Sequence, residues 1–213
     1  MEHEKITEYI NQLYDKKSHL KQKEYTAYMQ LRDYIPTVDD EAARFLRLII
    51  KLTRPKNILE IGTSVGFSTT SMALASKEYG GHITTIEFDE KSADQAEKNF
   101  KKAGVYDCIT IIRGDAVEIL HGLTDTYDLI FQDADKKLYS AMFDDCIRVL
   151  SSNGVLLSDD ALFPVMELDS KWNDLIEPIK AYNEKVINCP ILESVLLPIG
   201  DGMMMSVRRQ RIF

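Results

Sequence analysis

Cysteine, histidine and tryptophan are scarce in this chain: three, four and one among 213 residues. Cys108, Cys146 and Cys189 are odd in number and far apart, which excludes a disulfide framework and zinc-ligand spacing and leaves packing as their role. Long apolar runs are absent too. None approaches the roughly 18 residues of a membrane span, and the opening MEHEKITEYI has acids where a secretory signal needs a basic and then an apolar start. A cytoplasmic location, with no membrane partner, is expected. Basic charge is short as well, with 26 Lys and Arg against 34 Asp and Glu, a net charge of -8. Residues 1–56 carry 11 basic and 9 acidic side chains, so the acid excess belongs to the remainder, with 15 basic and 25 acidic. That balance argues against a broad nucleic-acid footprint. One basic cluster exists, Lys16, Lys17, Lys21 and Lys23 near Tyr14, His19 and Tyr25, and on a helix it reads more readily as a solvated face.

Glycine is sparse, yet it sits where it counts. Residues 58–66 read ILEIGTSVG, and a second run, ITTIE, ends at Glu87. The pair describes a buried strand, a glycine turn, a helix and a second strand closed by an acid, which is the layout of a nucleoside-cofactor site. The distance from Gly62 to Glu87 is near the roughly 20 residues that separate such a turn from its ribose acid. Thr63 and Ser64 replace the bare backbone that a pyrophosphate binder needs, so the turn departs from G-x-G-x-x-G and disfavours a nucleotide-dependent dehydrogenase. A cofactor without pyrophosphate fits better. The run E-I-G-T-S-V-G-F-S resembles the first motif of S-adenosylmethionine-dependent methyltransferases.

Residues 3–34 are polar and loosely periodic and predict one or two helices lying against the domain. Asp39, Asp40 and Glu41 open a core-facing helix that stops at Pro55. Strand-like and helix-like segments then alternate: strands at 57–61, 82–87, 108–112, 127–132 and 155–158, helices from Phe67, Glu90, near Ala116 and from Leu138. Alternation specifies a parallel sheet with helices on both faces. Segments 192–198 and 203–207 flank Ile199-Gly200-Asp201-Gly202, a hairpin signal. The expected fold is α/β, a Rossmann-like doubly wound sheet of about seven strands, mostly parallel with an antiparallel C-terminal hairpin. Residues 1–213 form one domain, with 1–36 a helical extension and 37–213 the catalytic core.

Ligands of such sheets lie outside the carboxyl ends of the strands. There the sequence is acidic repeatedly: Glu60 and Gly62, Glu87, Gly114 and Asp115, then Asp133, Asp135 and Lys136, and lastly Asp159 with Asp160. QDADK and SDDA come from successive strand ends and can converge as hard oxygen ligands for Mg²⁺ or Ca²⁺. Such a cation would lower the pKa of a substrate hydroxyl. Lys136 reads either as the base that takes the proton, if its pKa is depressed, or as a surface lysine paired with Asp135.

With LEIGTSVGFS, TIE, GDA, DADK, the acid pair and LPIGDGM in order between Asp39 and Arg209, the chain resembles the cation-dependent O-methyltransferase family. That family contains the catechol and caffeoyl-CoA O-methyltransferases and many short bacterial relatives. The resemblance implies that Glu60, Gly62, Ser64, Ser68, Glu87, Asp115 and Ala116 line an S-adenosylmethionine site bordered by Asp133, with Glu87 on the ribose and Asp115 and Ala116 beside the adenine. It also implies Asp133 and Asp159 as ligands of a divalent cation, Mg²⁺ before Ca²⁺ or Mn²⁺, and Lys136 as general base with Asp133 beside it. The family's third ligand is Asn, where this chain has Asp160. A third carboxylate keeps oxygen ligation but adds negative charge. Ala42 stands where many members have glycine.

The resemblance implies methylation of a hydroxyl on a small molecule, one of two adjacent oxygens on an aromatic ring, by a homodimer. Phe163, Met166 and Trp172, in the segment FPVMELDSKW, are the expected lid over that ring. A bacterial branch of the family methylates 5-hydroxyuridine in tRNA, and tRNA is the alternative substrate; against it, the lid has Lys171 as its only basic residue. A non-catalytic cofactor-binding protein is a third reading, kept open by Asp160.

Overall fold

Runs of Ile, Leu, Val and Phe, buried on both sides, become the parallel strands, because a strand covered on two faces has no polar face to alternate with. The computed structural model describes residues 2–14, 20–29 and 31–210. Helices α1 (Glu2–Tyr14), α2 (Gln22–Thr26) and α3 (Asp40–Thr53) precede strand β1 (Asn57–Ile61). There follow α4 (Phe67–Ser76), β2 (His82–Glu87), α5 (Glu90–Ala103), β3 (Ile109–Arg113), α6 (Ala116–Gly122), β4 (Tyr127–Gln132), α7 (Tyr139–Val149) and β5 (Leu150–Ser158). The chain ends with α8 (Ile176–Ile187), β6 (Leu192–Leu197) and β7 (Met203–Arg208).

The seven strands form one sheet in the order β3-β2-β1-β4-β5-β7-β6. Strands β1 to β5 pair in parallel, and β7 runs antiparallel to both β5 and β6. The Rossmann-like expectation holds, hairpin included. Helices α3, α4 and α5 cover one face over Ile58, Ile83, Leu129, Phe131 and Leu157. Helices α6, α7 and α8 cover the other over Leu59, Ile61, Ile86, Ile130 and Leu156. Asp39 caps α3 by accepting from the Ala42 amide at 2.7 Å, and Asp40 and Glu41 place negative charge in its first turn; such a cap stabilises a helix by about 1 kcal/mol.

Several elements differ from the sequence reading. Strand β5 begins at Leu150 rather than Val155, because Tyr127 already pairs with Leu150 below a register shift in β4. Cys108 closes a 3-10 turn, and β3 starts one residue later. Helix α8 was not foreseen; Ile179, Tyr182 and Val186 are its buried side, on a weak apolar stripe. The residues expected as a lid form two 3-10 turns, Phe163–Val165 and Ser170–Leu175.

Candidate active site

Sheet order reverses between β1 and β4, where the chain leaves the middle of the sheet in both directions and a crevice opens at the carboxyl edge. Four backbone bonds carry the parallel ladder one residue past the strand ends. Gly114 donates to Glu87 (2.9 Å), Gly62 to Ile86 (3.0 Å), Asp133 to Ile61 (2.8 Å) and Asp159 to Gln132 (3.1 Å). The glycine turn, the Glu87 acid and the two aspartates therefore stand in one row along that edge.

Gly62 is required there. Its φ is +100°, and an added Cβ would lie 2.1 Å from the Asp133 carbonyl oxygen. Ser64 has φ 48° and Gly66 φ 86°, so the turn takes positive φ three times in five residues. Glu87 holds this backbone: one oxygen accepts from the Thr63 and Ser64 amides at 3.1 and 2.7 Å, the other from the Asp89 amide at 2.8 Å. A carboxylate has about four lone-pair sites, so the three amides leave room for one further donor.

Glu60 lies a layer deeper. It is fully buried, and its carboxylate accepts from Ser68 (2.6 Å), Thr69 and Thr85 (2.6 Å). Burial pushes its pKa up to about 7 against the pull of those hydroxyls. Ser68 is engaged there from the first turn of α4. Asp115 caps α6 through the Val117 and Glu118 amides (2.8 and 3.2 Å), and Ala116 is the first helical residue behind it.

At the ends of β4 and β5, Lys136 reaches Asp133 at 2.8 Å and Asp160 at 2.7 Å. Asp135 is not its partner, because it accepts from the Lys137 amide and starts a 3-10 turn instead. Burial pushes the Asp133 pKa up to about 6, with Asp160 adding to the rise and Lys136 opposing it. Burial, then the charges of Asp133 and Asp160, hold Asp159 well above the carboxylate range. Burial works to lower the Lys136 pKa, but attraction to Asp133, Tyr139 and Asp160 outweighs it and leaves the ammonium well above the usual lysine value. A depressed Lys136 pKa is therefore not what this arrangement gives. Among the described residues no three His, Cys, Asp or Glu side chains converge as a ligand set; the lysine stands between two of the three aspartates. One oxygen of Asp159, Oδ1, is buried with no hydrogen-bond partner. Asp160 has φ 60°, a left-handed conformation that Asp and Asn tolerate best among residues with a side chain.

The acid row rests on a buried polar network. The Tyr182 hydroxyl lies 2.6 Å from Ser158 and donates to Gln132 Oε1 at 3.2 Å, while the Tyr139 hydroxyl donates to the Gln132 carbonyl at 3.0 Å. Gln132 and Ser158 are the residues before Asp133 and Asp159. Sequence reasoning missed this network, and also Thr69 and Thr85. Thr69 alone had a signal, the hydroxyl-rich run FSTTS at the start of a helix that is buried on nearly every side. Of the expected lid residues, Phe163 is buried, and Trp172 is 37% exposed beneath the Lys171 ammonium, 5.0 Å from its ring centroid. Lys16, Lys17 and His19 lie outside the described residues, and Tyr25, expected beside them, turns inward to the glycine turn.

The model of a family described as O-methyltransferase matches residues 10–210. The chain belongs to the O-methyltransferase family. Among its relatives is the catechol O-methyltransferase of Niastella koreensis, 30% identical over an alignment of 181 residues that covers 80% of this chain and 81% of that one. The caffeoyl-CoA O-methyltransferase of Eucalyptus gunnii is 28% identical, over 83% of this chain and 75% of its own. The crystal structure of the O-methyltransferase from Bacillus cereus in complex with SAH superposes with a TM-score of 0.79 at 26% identity, covering 93% of this chain and 96% of that one. The carboxyl edge of the sheet is thus the candidate active site of an O-methyltransferase. A groove of about 540 Å³ at the opposite edge, lined by Asn57, His82, Thr84 and Thr110, shares no residue with it.

Proposed function

We propose that this O-methyltransferase uses S-adenosylmethionine and a divalent cation to methylate one of two adjacent oxygens on a small, catechol-like substrate. The observation that carries the reading is the row of Glu87, the glycine turn, Asp133 and Asp159 along one edge, with an unpartnered carboxylate oxygen at its end. S-adenosylmethionine supplies an electrophilic methyl group on a sulfonium. Glu87 fits its ribose, since the carboxylate keeps one acceptor position beyond the three amides it holds. Gly62, Ser64, Ser68, Asp115, Ala116 and Asp133 would border it, with Glu60 supporting them from below.

Asp133, Asp159 and Asp160 would hold a cation such as Mg²⁺, Ca²⁺ or Mn²⁺ once Asp133 and Asp160 turn from Lys136 to converge with Asp159: they offer hard oxygen donors, and against one lysine the three carboxylates leave an uncompensated charge of -2 when ionised. When bound, the cation supplies positive charge that lowers the pKa of a substrate hydroxyl. Lys136 is the base in this reading. Its ammonium is held charged by Asp133, Tyr139 and Asp160 against the pull of burial, and a cation that drew the two carboxylates away would weaken that hold and shift the balance toward the neutral amine. A neutral Nζ there would take the hydroxyl proton, with the Tyr139 ring 5.5 Å from it, measured to the centroid. Phe163, Met166 and Trp172, in the segment after β5, would cover the substrate ring.

The same reading includes a homodimer. Leu48 and Leu52 leave an apolar stripe 56% and 70% exposed on α3, and α1 packs beside it, Tyr14 under Arg44, with Ile6, Tyr9 and Leu13 exposed. Three free thiols are in keeping with a reducing, cytoplasmic compartment. The decisive experiment incubates the protein with labelled S-adenosylmethionine and Mg²⁺ against a catechol pool and a hydroxylated-tRNA pool. Label in the catechols is expected; label confined to tRNA, or to neither pool, overturns the substrate reading.

A further inference from the structure

Residues 20–29 and 31–39 cross the glycine turn and touch it at several points. The Tyr25 hydroxyl lies 2.8 Å from the Gly66 carbonyl, 3.3 Å from the Val65 carbonyl and 2.8 Å from Thr70 Oγ1. Its ring meets Phe67 edge-on at 5.4 Å. Ser64 Oγ donates to the Ile35 carbonyl at 2.6 Å, and Met29, buried at 4% exposure, accepts from Asn99, whose amide also holds the Val65 carbonyl. The other end of the segment is anchored away from the turn. Gln22 Nε2 donates to Thr37 and Val38, and the Gln22 amide donates to Asp40 at the start of α3.

A turn that holds Ser64, a residue with a side chain, at φ 48° persists only when its surroundings over-determine it. Glu87 supports it from within the sheet, Asn99 from α5, and this segment from outside. We propose that Tyr25 is a positioning residue for the cofactor turn, and that residues 20–29 and 31–39 act as a strap whose docking and cofactor binding strengthen each other. The inference rests on the S-adenosylmethionine reading above. Coupling of this kind is reciprocal: whatever factor the docked strap adds to cofactor affinity, the cofactor adds to strap docking.

The test uses the full chain and S-adenosylhomocysteine as probe. Tyr25→Phe keeps the ring contact and removes the hydroxyl. Gln22→Ala loosens the strap and touches nothing in the turn. Calorimetry is expected to show affinity about tenfold weaker for Tyr25→Phe, the loss of one net hydrogen bond, and several-fold weaker for Gln22→Ala. The KM for the cofactor should rise more than kcat falls. Arg32 is exposed in an irregular stretch, so trypsin cleavage after it reports strap docking, and saturating probe should slow it in the wild type and less in both variants. Wild-type affinity in both variants, or cleavage that the probe does not slow, overturns the coupling while leaving the cofactor reading intact. A wild type that does not bind the probe at all overturns both.

Discussion

Substituting Gly62 by alanine isolates the contact on which the site is built. Two costs add. A Cβ at φ +100° is strained by about 1–2 kcal/mol. The new methyl would also stand 2.1 Å from the Asp133 carbonyl oxygen and 2.7 Å from its carbon, and backbone cannot swing aside as a side chain can. Overpacking of this sort costs about 1–3 kcal/mol, so the variant should lose about 2–5 kcal/mol. Gly104→Ala is the control, because its φ is +68° and nothing lies within 4 Å of its Cβ; it should lose only the strain, about 1–2 kcal/mol. With a urea m-value of about 2 kcal/mol/M, a loss of 3 kcal/mol lowers the midpoint by about 1.5 M. Because the clash pushes the β4 end away from β1, Gly62→Ala should also lose methyl transfer, whereas Gly104→Ala keeps it. Equal urea midpoints for the two variants would show that the β1 and β4 ends do not meet as described.

Further outcomes follow from the same geometry. Glu87→Gln should weaken S-adenosylhomocysteine binding about ten- to a hundred-fold in calorimetry, through loss of charge-assisted bonds worth about 1.5–3 kcal/mol; unchanged affinity removes Glu87 from the ribose. Glu60 has a folded pKa near 7, above its unfolded value, so it favours the fold when protonated, and its contribution falls as pH rises from about 4.5 to about 7. Glu60→Gln should remove that part of the slope, up to about 3 kcal/mol, in urea melts between pH 5 and 8; parallel pH profiles refute it. Tyr182→Phe leaves Ser158 and Gln132 each short of a partner in a dry interior and should cost about 1–3 kcal/mol, with turnover falling more than cofactor affinity. Asp160→Asn keeps the left-handed backbone and releases one of two carboxylates from Lys136, so it should preserve cation binding and raise activity; loss of cation binding makes Asp160 a structural acid.

Much of this was legible because the sheet writes its order into the sequence. The bounds of β1, β2 and β4 follow from apolar runs that end at a glycine or an acid, and Gly200 and Gly202 mark the hairpin at φ 55° and 100°. The acids after successive strands gave the row itself. What stayed hidden depends on distance across the fold. Glu60 reads as a cofactor-lining acid until Ser68, Thr69 and Thr85 are seen to occupy it. Lys136 is three residues from Asp133 and one from Asp135, and only the meeting of the β4 and β5 ends gives it Asp160. Tyr25 sat in a basic stretch whose composition suggested a solvated face, and its hydroxyl reaches a turn some forty residues away. Helix α8 escaped because its polar residues leave only Ile179, Tyr182 and Val186 to signal a buried side.

The most direct test of the proposed chemistry is a Mn²⁺ titration followed by electron paramagnetic resonance, run beside methyl transfer to a catechol with Mg²⁺ or with chelator. One Mn²⁺ per chain, lost in Asp159→Ala while S-adenosylhomocysteine affinity is retained, together with transfer that stops under chelator, is the predicted result. Transfer that survives chelation, or Mn²⁺ that binds Asp159→Ala as it binds the wild type, contradicts the account.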